Sequence, residues 1–370
     1  MNWKENSMAK MKMFWSGEFD QGWVDKFSEV FDVECLGDGT EVRVPRITND
    51  DPELIRRLQG VDVYLCGYDT VTRNVLENCP NLKLILSVRD GPEENIDLQA
   101  ANELGIPVVS ANGRCSVSVA ECTFFLMCNL ARPIVQVTNK MRQDTWRTDN
   151  WNDFRAISKT GTELYYKRLG IVGLGRNGKH LARLASGFQM DVVAYDPYVS
   201  EEEMAKLGVT KMDLPELMKT SDYVVPQVRL SDATKGIITR ELIFSMKPTA
   251  CIINTARGLL MDYDALYDAL EQNVIRAAAL DVYEYEPNGH GEANSDHVNP
   301  RVYALSPDKL LCTAHMAGIT QERVFHQCEN LFNEYKEFLK GEFPGGYVTK
   351  KAHESEGWKD HGAKLFGSEK

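Results

Sequence analysis

The stretch LGIVGLGRNGKHLARLASGFQMDVVAYDPY, residues 169–198, decides how the rest of this chain is read. An apolar run at 169–172 reads as a strand and residues 179–188 as a helix, with Gly173, Gly175 and Gly178 between them in G-x-G-x-x-G spacing. A second β-like run at 191–195 ends in Asp196, about 20 residues past the glycines, where a ribose-binding carboxylate belongs. The glycines alone would mark any strand-to-helix turn; glycines, flanking elements and acid together mark a dinucleotide site. The first glycine permits the tight turn, the second lets backbone approach a pyrophosphate, and the third lets the helix pack on the strand, while the N–H groups at the helix start attract the anion. Arg176 lies among them and adds a charge-assisted hydrogen bond. A carboxylate at Asp196 accepts from both ribose hydroxyls and repels a 2′-phosphate, which points to NAD over NADP.

Working outward, strands and helices alternate on both sides. Beyond residue 198 the runs YVVPQV, ACIINT, AAALDV and LLCTA read as strands separated by helical patterns, which fits a doubly wound dinucleotide domain. Before the quoted stretch, VDVYLCG, LKLILSV and IPVVSA alternate with helical patterns at 72–78 and 98–104, which predicts a second parallel sheet with covering helices. Further β-like runs lie at 12–15 and 42–44. Residues 116–130 read as a buried helix leaving the first domain, and Arg132 and Pro133 mark a break. Residues 142–161, rich in Trp, Asp, Asn and Thr, read as an arm, either an oligomer contact or a solvated loop. A long helical pattern at 320–339, closed by Gly341, is long enough to return to the first domain.

Composition narrows the function classes. The chain has 370 residues, of which 43% are hydrophobic, enough for two domains with real cores. A net charge of −12 argues against nucleic-acid binding. The N-terminus lacks a signal-peptide apolar core and no run is long enough to span a bilayer, so a soluble cytoplasmic protein without membrane attachment is expected. Nine cysteines without a C-x-x-C pair suggest neither a disulfide framework nor a metal site. Cys122 and Cys128 read as core residues, and Cys312 reads as no nucleophile.

Arg257, Glu286 and His315 each follow a predicted strand, where ligands of open α/β sheets bind. A planar arginine holds a 2-oxo acid's carboxylate bidentately, a histidine supplies a proton near neutral pH, and a neighbouring carboxylate favours the charged imidazole. Each residue alone has an ordinary structural reading as a surface, loop or turn residue. Their order after a dinucleotide fingerprint favours hydride transfer to a carbonyl.

The chain resembles the D-isomer-specific 2-hydroxyacid dehydrogenase family, carried by NIDLQAANELGIPV (95–108), VAE (119–121), ELYYKRLGIVGLGRNG (163–178), INTARGLLMDYDAL (253–266), ALDVYEYEP (279–287) and HMAG (315–318). The similarity spans residues 60 to 345. It implies two Rossmann-like doubly wound parallel-sheet α/β domains. The first is flavodoxin-like and discontinuous, residues 1–134 and 319–350; the NAD-binding domain is residues 135–318, and residues 351–370 form a tail. It implies an NAD-dependent 2-hydroxyacid dehydrogenase, a homodimer, in which Arg257 binds the substrate carboxylate, His315 is the acid/base and Glu286 supports it. It implies that Asp281 orients the nicotinamide amide, that Arg176, Asn177, Val228, Thr255, Ala256 and Gly318 line the cofactor, and that Arg89, Asp90 and Gly91 form the substrate loop.

Departures from the family pattern bear on substrate. Asp90 and Pro92 stand where many members have glycine, Gln227 replaces a frequent histidine, and Arg229 and Ala314 replace frequent prolines. The segment from Glu286 to His315 is longer than usual and holds His290 and His297, which read as surface residues. Arg89 and Arg114 read either as partners of a second anionic or hydroxylated group or as exposed loop arginines. A polar, hydroxylated 2-oxo acid is expected. Two other readings stay open: an NAD(H)-sensing corepressor on the same fold, and a dehydrogenase of a nonstandard donor such as phosphite or formate.

Overall fold

The computed structural model describes residues 10–36, 51–286, 298–339, 346, 348 and 349. The expected strand at 42–44, Pro287, His290, His297, Gly341 and the tail at 351–370 lie outside the described residues. Two compact units emerge, Met1–Cys115 with Thr320–Lys370, and Ser116–Ile319. These units divide at 115, ahead of the expected 134, and again at 320. The reason is packing: helix Ser116–Ala131 sinks Ala120, Phe124 and Met127 into the apolar cluster of Leu181, Ala182 and Ala185, which belong to helix Arg176–Gly187.

The first unit is built on five parallel strands, β1 (Lys12–Trp15), β2 (Asp32–Cys35), β3 (Val63–Cys66), β4 (Leu84–Ser87) and β5 (Val108–Ser110), in the order β2-β1-β3-β4-β5. Strand periodicity sends Met13 and Trp15 to one apolar layer and Phe14 to the other, so both faces are covered. Helix Glu322–Leu339 completes the first layer with Cys328, Leu331, Phe332, Tyr335 and Phe338. The chain then returns along β5, where Ser110 N donates to Gly346 O (2.8 Å) and Val348 N to Val108 O (3.1 Å). β2 escapes a hydrophobicity reading because DVEC is an edge strand with no fully buried residue.

The second unit carries seven parallel strands, β6 (Arg168–Val172), β7 (Asp191–Tyr195), β8 (Thr210–Lys211), β9 (Tyr223–Pro226), β10 (Cys251–Asn254), β11 (Ala277–Leu280) and β12 (Leu310–Cys312). Their order is β12-β11-β10-β9-β6-β7-β8. Alternate residues again feed two layers, Leu169 and Ile171 into one, Val172 and Val224 into the other. The chain reverses direction across the sheet at β6, which makes the β6/β9 crevice a topological switch point. The arm at 142–161 is more ordered than its composition suggests: helix Ile134–Gln143 precedes it and helix Trp151–Lys159 forms within it, with Trp146 stacked on Trp151 at 5.6 Å. Among the described residues no single helix is long and apolar enough to cross a membrane.

Candidate active site

At the switch point the chain leaves β6 through Gly173, whose φ of +100° lies where L side chains are strained. A Cβ there would also stand 2.6 Å from Val228 Cγ1, so Val228 packs directly on the turn. Gly178, in the first turn of helix Arg176–Gly187, would place a Cβ 2.4 Å from Gly173 O. Gly175 differs from both. It caps the helix, and a Cβ on it would meet nothing within 4 Å, so a glycine here keeps open space in front of the helix N-terminus. Arg176 is exposed and Asn177 half-buried at that end. Asp196 closes the turn: Leu174 N donates to its Oδ2 (2.8 Å) and Tyr198 N to its Oδ1 (2.9 Å).

Arg257, Glu286 and His315 follow β10, β11 and β12, three adjacent strands of the same sheet. His315 Nδ1 lies 2.6 Å from Glu286 Oε2, and Tyr283 N donates to Glu286 Oε1 (2.9 Å). The carboxylate is nearly sealed, at 3% side-chain exposure, while the imidazole keeps 26%. With Glu286 ionised, Nδ1 carries a proton toward it, so proton exchange with a ligand falls to Nε2. His315 has φ +52°, a conformation that costs about 1 kcal/mol.

Asp281 holds it there. Its backbone O accepts from His315 N (2.8 Å), its Oδ1 from Met316 N (2.8 Å) and Thr313 Oγ1 (2.6 Å), and its Oδ2 from Ala317 N (2.8 Å). Gly318 follows that anchored turn. The Arg257 loop is shaped by Asn254, fully buried, whose Oδ1 accepts from Ala256 N (3.0 Å) and whose Nδ2 donates to Arg257 O (3.0 Å). Gly258 then passes so close to the β11 loop that a Cβ would lie 1.8 Å from Tyr283 O. Burial raises the Tyr263 and Tyr283 phenols, so both stay neutral donors, Tyr263 to Val282 O (2.6 Å) and Tyr283 to Thr313 O (2.7 Å). Burial raises the Cys312 thiol as well, which disfavours its thiolate.

A family model described as "D-isomer specific 2-hydroxyacid dehydrogenase, NAD binding domain" matches residues 124–317. The chain is 38% identical over 299 residues to the D-3-phosphoglycerate dehydrogenase of Methanocaldococcus jannaschii, covering 80% of this chain and 53% of that one. It is 36% identical to the hydroxypyruvate reductase of Thermotoga maritima, covering 78% of this chain and 89% of that one. The chain belongs to the D-isomer-specific 2-hydroxyacid dehydrogenase family. Among solved structures it resembles the apo D-lactate dehydrogenase of Escherichia coli, at TM-score 0.69 and 26% identity over 92% of this chain and 99% of that one. This family member thus spans about half of the phosphoglycerate dehydrogenase and most of the reductase.

As an NAD-binding member of this oxidoreductase family, it presents residues that fit the dinucleotide. Gly175 leaves open the space that a side chain would fill, the first N–H groups of the helix have no intrahelical acceptor, and Asp196 is tethered at the end of β7. Thr255, 6% exposed, is held in a network that sequence reasoning missed: its Oγ1 lies 2.6 Å from Thr123 Oγ1 and accepts from Gln227 Nε2 (3.1 Å). Thr123 carries no motif, and only helix packing brings it there. Asn254, Tyr283 and Thr313 were likewise missed, since each acts by steadying a loop. Arg89, Asp90 and Gly91 lie in the other unit, after β4. There Arg89 pairs with Glu94, and Asp90 Oδ1 accepts from Gly113 N.

Proposed function

We propose that this dehydrogenase interconverts a D-2-hydroxy acid and its 2-oxo acid. The observation that carries the reading is the His315–Glu286 pair at 2.6 Å, at the carboxyl edge of the sheet that also bears the glycine turn. When bound, NAD(H) exchanges a hydride with the substrate's C2. Arg257 binds the substrate carboxylate and polarises the neighbouring carbonyl. His315 Nε2 gives its proton to the carbonyl oxygen in reduction and takes it back in oxidation, and Glu286 stabilises the imidazolium through Nδ1. Asp281 serves the nicotinamide amide and the His315 turn together. Arg176, Asn177, Val228, Thr255, Ala256 and Gly318 line the cofactor, Asp196 takes its ribose, and Arg89, Asp90 and Gly91 form the substrate loop. The substrate's remaining end is polar.

The protein is further read as a cytoplasmic homodimer with no nucleic-acid or membrane partner. Ile134, Met141, Trp146 and Trp151 stay exposed on the second unit, an apolar surface suited to a second copy, and all nine cysteines are free thiols.

The test follows NADH consumption with a panel of 2-oxo acids. His315→Ala is expected to lower kcat about 10²–10⁴-fold and Arg257→Ala to lower kcat/KM about 10²-fold or more, both still binding NADH. NADH binding without turnover of any acid would favour the sensor reading, and loss of NADH binding would remove the dinucleotide assignment.

A further inference from the structure

Between the glycine turn and the Arg257 loop runs a chain of hydrogen bonds that ends on an acceptor with nothing to accept. Gln227 follows β9, the strand between β6 and β10, and its N donates to Val172 O (2.7 Å) at the end of β6. From there Gln227 Nε2 donates to Thr255 Oγ1 (3.1 Å), after β10. Thr255 Oγ1 lies 2.6 Å from Thr123 Oγ1, which donates to Val119 O (2.6 Å) within helix Ser116–Ala131. Gln227 is 8% exposed, Thr255 6% and Thr123 0%, and the whole chain of bonds lies within the second unit.

Counting protons fixes the direction of the chain. A threonine hydroxyl has one hydrogen and two lone pairs. Thr123 uses its hydrogen on Val119 O, so Thr255 must donate to Thr123 across their contact. With its own hydrogen used, Thr255 can only accept from Gln227, which sets the amide with Nε2 toward Thr255. Gln227 Oε1 is then buried with no hydrogen-bond partner among the described residues. Thr255 keeps one lone pair and no hydrogen. These side chains therefore have acceptors left over and no donor, and a buried acceptor without a partner costs stability until a donor meets it.

In a doubly wound sheet each half holds one nucleotide of the pair. Asp196, after β7, marks the first half, and β9 and β10 belong to the second. We infer, resting on the dinucleotide reading of the glycine turn, that Thr123 is a positioning residue that sets Thr255 and Gln227 as acceptors for a neutral donor on the nicotinamide half of NAD(H), a ribose hydroxyl or the carboxamide N–H. Thr123 alone decides this polarity. Without its oxygen, Thr255 would give its hydrogen to Gln227 Oε1 with the amide turned, and Nε2 would be left over as a donor. The free protein would then have no unmet acceptor there, and a donor on the ligand would meet another donor.

The experiment measures calorimetric binding of NADH and of reduced 3-acetylpyridine adenine dinucleotide, which keeps the carbonyl but lacks the carboxamide N–H, beside thermal unfolding of the free protein. Thr123→Val is expected to weaken NADH binding about 3- to 10-fold, the worth of one hydrogen bond. Thr123→Ser, which restores the oxygen, is expected to bind within about 2-fold of wild type. Gln227→Met is expected to weaken binding about 3- to 10-fold while its melting temperature stays level or rises by about 2 °C, because the unmet acceptor is gone. A packing role alone would lower the melting temperature and leave affinity unchanged. If the carboxamide is the donor, the variants bind the analogue as tightly as wild type does; if a ribose hydroxyl is, both dinucleotides lose affinity equally. NADH affinity unchanged in Thr123→Val and Gln227→Met, or not restored by Thr123→Ser, overturns the inference. Wild type that binds neither dinucleotide removes the cofactor reading and the positioning role with it. If Thr123→Val does not fold, Gln227→Met decides.

Discussion

The carboxyl edges of the two sheets handle charge in different ways. In the second unit the working groups are carboxylates, and main-chain N–H groups or short hydroxyls from nearby turns fix them: Asp281 by Met316, Ala317 and Thr313, Glu286 by Tyr283, Asp196 by Leu174 and Tyr198. In the first unit the charged groups at the edge are long cationic side chains, gathered on one phenol, that of Tyr68, from strand-end loops and the returning helix. Backbone donors lose little freedom when they bind, so the first arrangement holds an imidazole at a set angle. Long arginine side chains keep more freedom, so the second arrangement fixes position less tightly.

The largest effect that would break this contrast is on stability. Asp281→Ala strands Thr313 Oγ1 and the Met316 and Ala317 N–H groups at a fully buried site, and is expected to cost about 3–5 kcal/mol in urea unfolding. Asp69, equally buried in the first unit, accepts from the hydroxyls of Ser16 and Tyr64, which also lie 3.0 Å from each other and can re-pair. Asp69→Ala is therefore expected to cost less. The reverse order would mean that backbone anchoring is not what distinguishes the units.

A smaller effect separates scaffold from ligand contact inside the glycine turn. Gly175→Val projects into open space, so the melting temperature should hold within about 2 °C while NADH affinity falls about 30-fold or more, equivalent to roughly 2 kcal/mol. Gly173→Val meets Val228 at once and should lose stability first. Calorimetry with NADH beside thermal unfolding checks both. Equal thermal losses in the two variants would mean that the space before Gly175 has no special role.

What the sequence disclosed follows the same division. The positions of Gly173, Gly178, Asp196, Glu286 and His315 at strand ends were legible, because strands announce themselves by apolar runs. The parallel sheets of both units followed from the alternation of strands and helices, whereas their strand orders did not. Thr123, Asn254 and Tyr68 were not legible, since their partners are separated in sequence and meet only through packing, as Thr123 meets Thr255 across helix Ser116–Ala131 and β10. The division at 115 was not legible for a related reason. Helix Ser116–Ala131 is apolar on nearly every side, and its composition does not say which core it enters.

The smallest effect tests whether side-chain anchoring of a carboxylate in the second unit carries a penalty that backbone anchoring avoids. Glu284, two residues before Glu286, is half-buried and accepts from Tyr267 OH (3.2 Å) and Asn299 Nδ2 (3.0 Å). Burial raises its pKa above the ordinary carboxylate value, and these hydrogen bonds only partly offset that. The folded state then binds the Glu284 proton more tightly than the unfolded state. The associated stability is present below the unfolded value near ~4.3 and is lost as pH rises through the higher folded value. Glu284→Gln keeps the shape and cannot ionise. It should be close to neutral at pH ~4 and more stable than wild type by about 0.5–1 kcal/mol at pH ~7.5 in urea unfolding. A difference that stays constant across that range would mean that Tyr267 and Asn299 fully compensate the buried charge, and the penalty would have to be sought elsewhere than in the kind of donor.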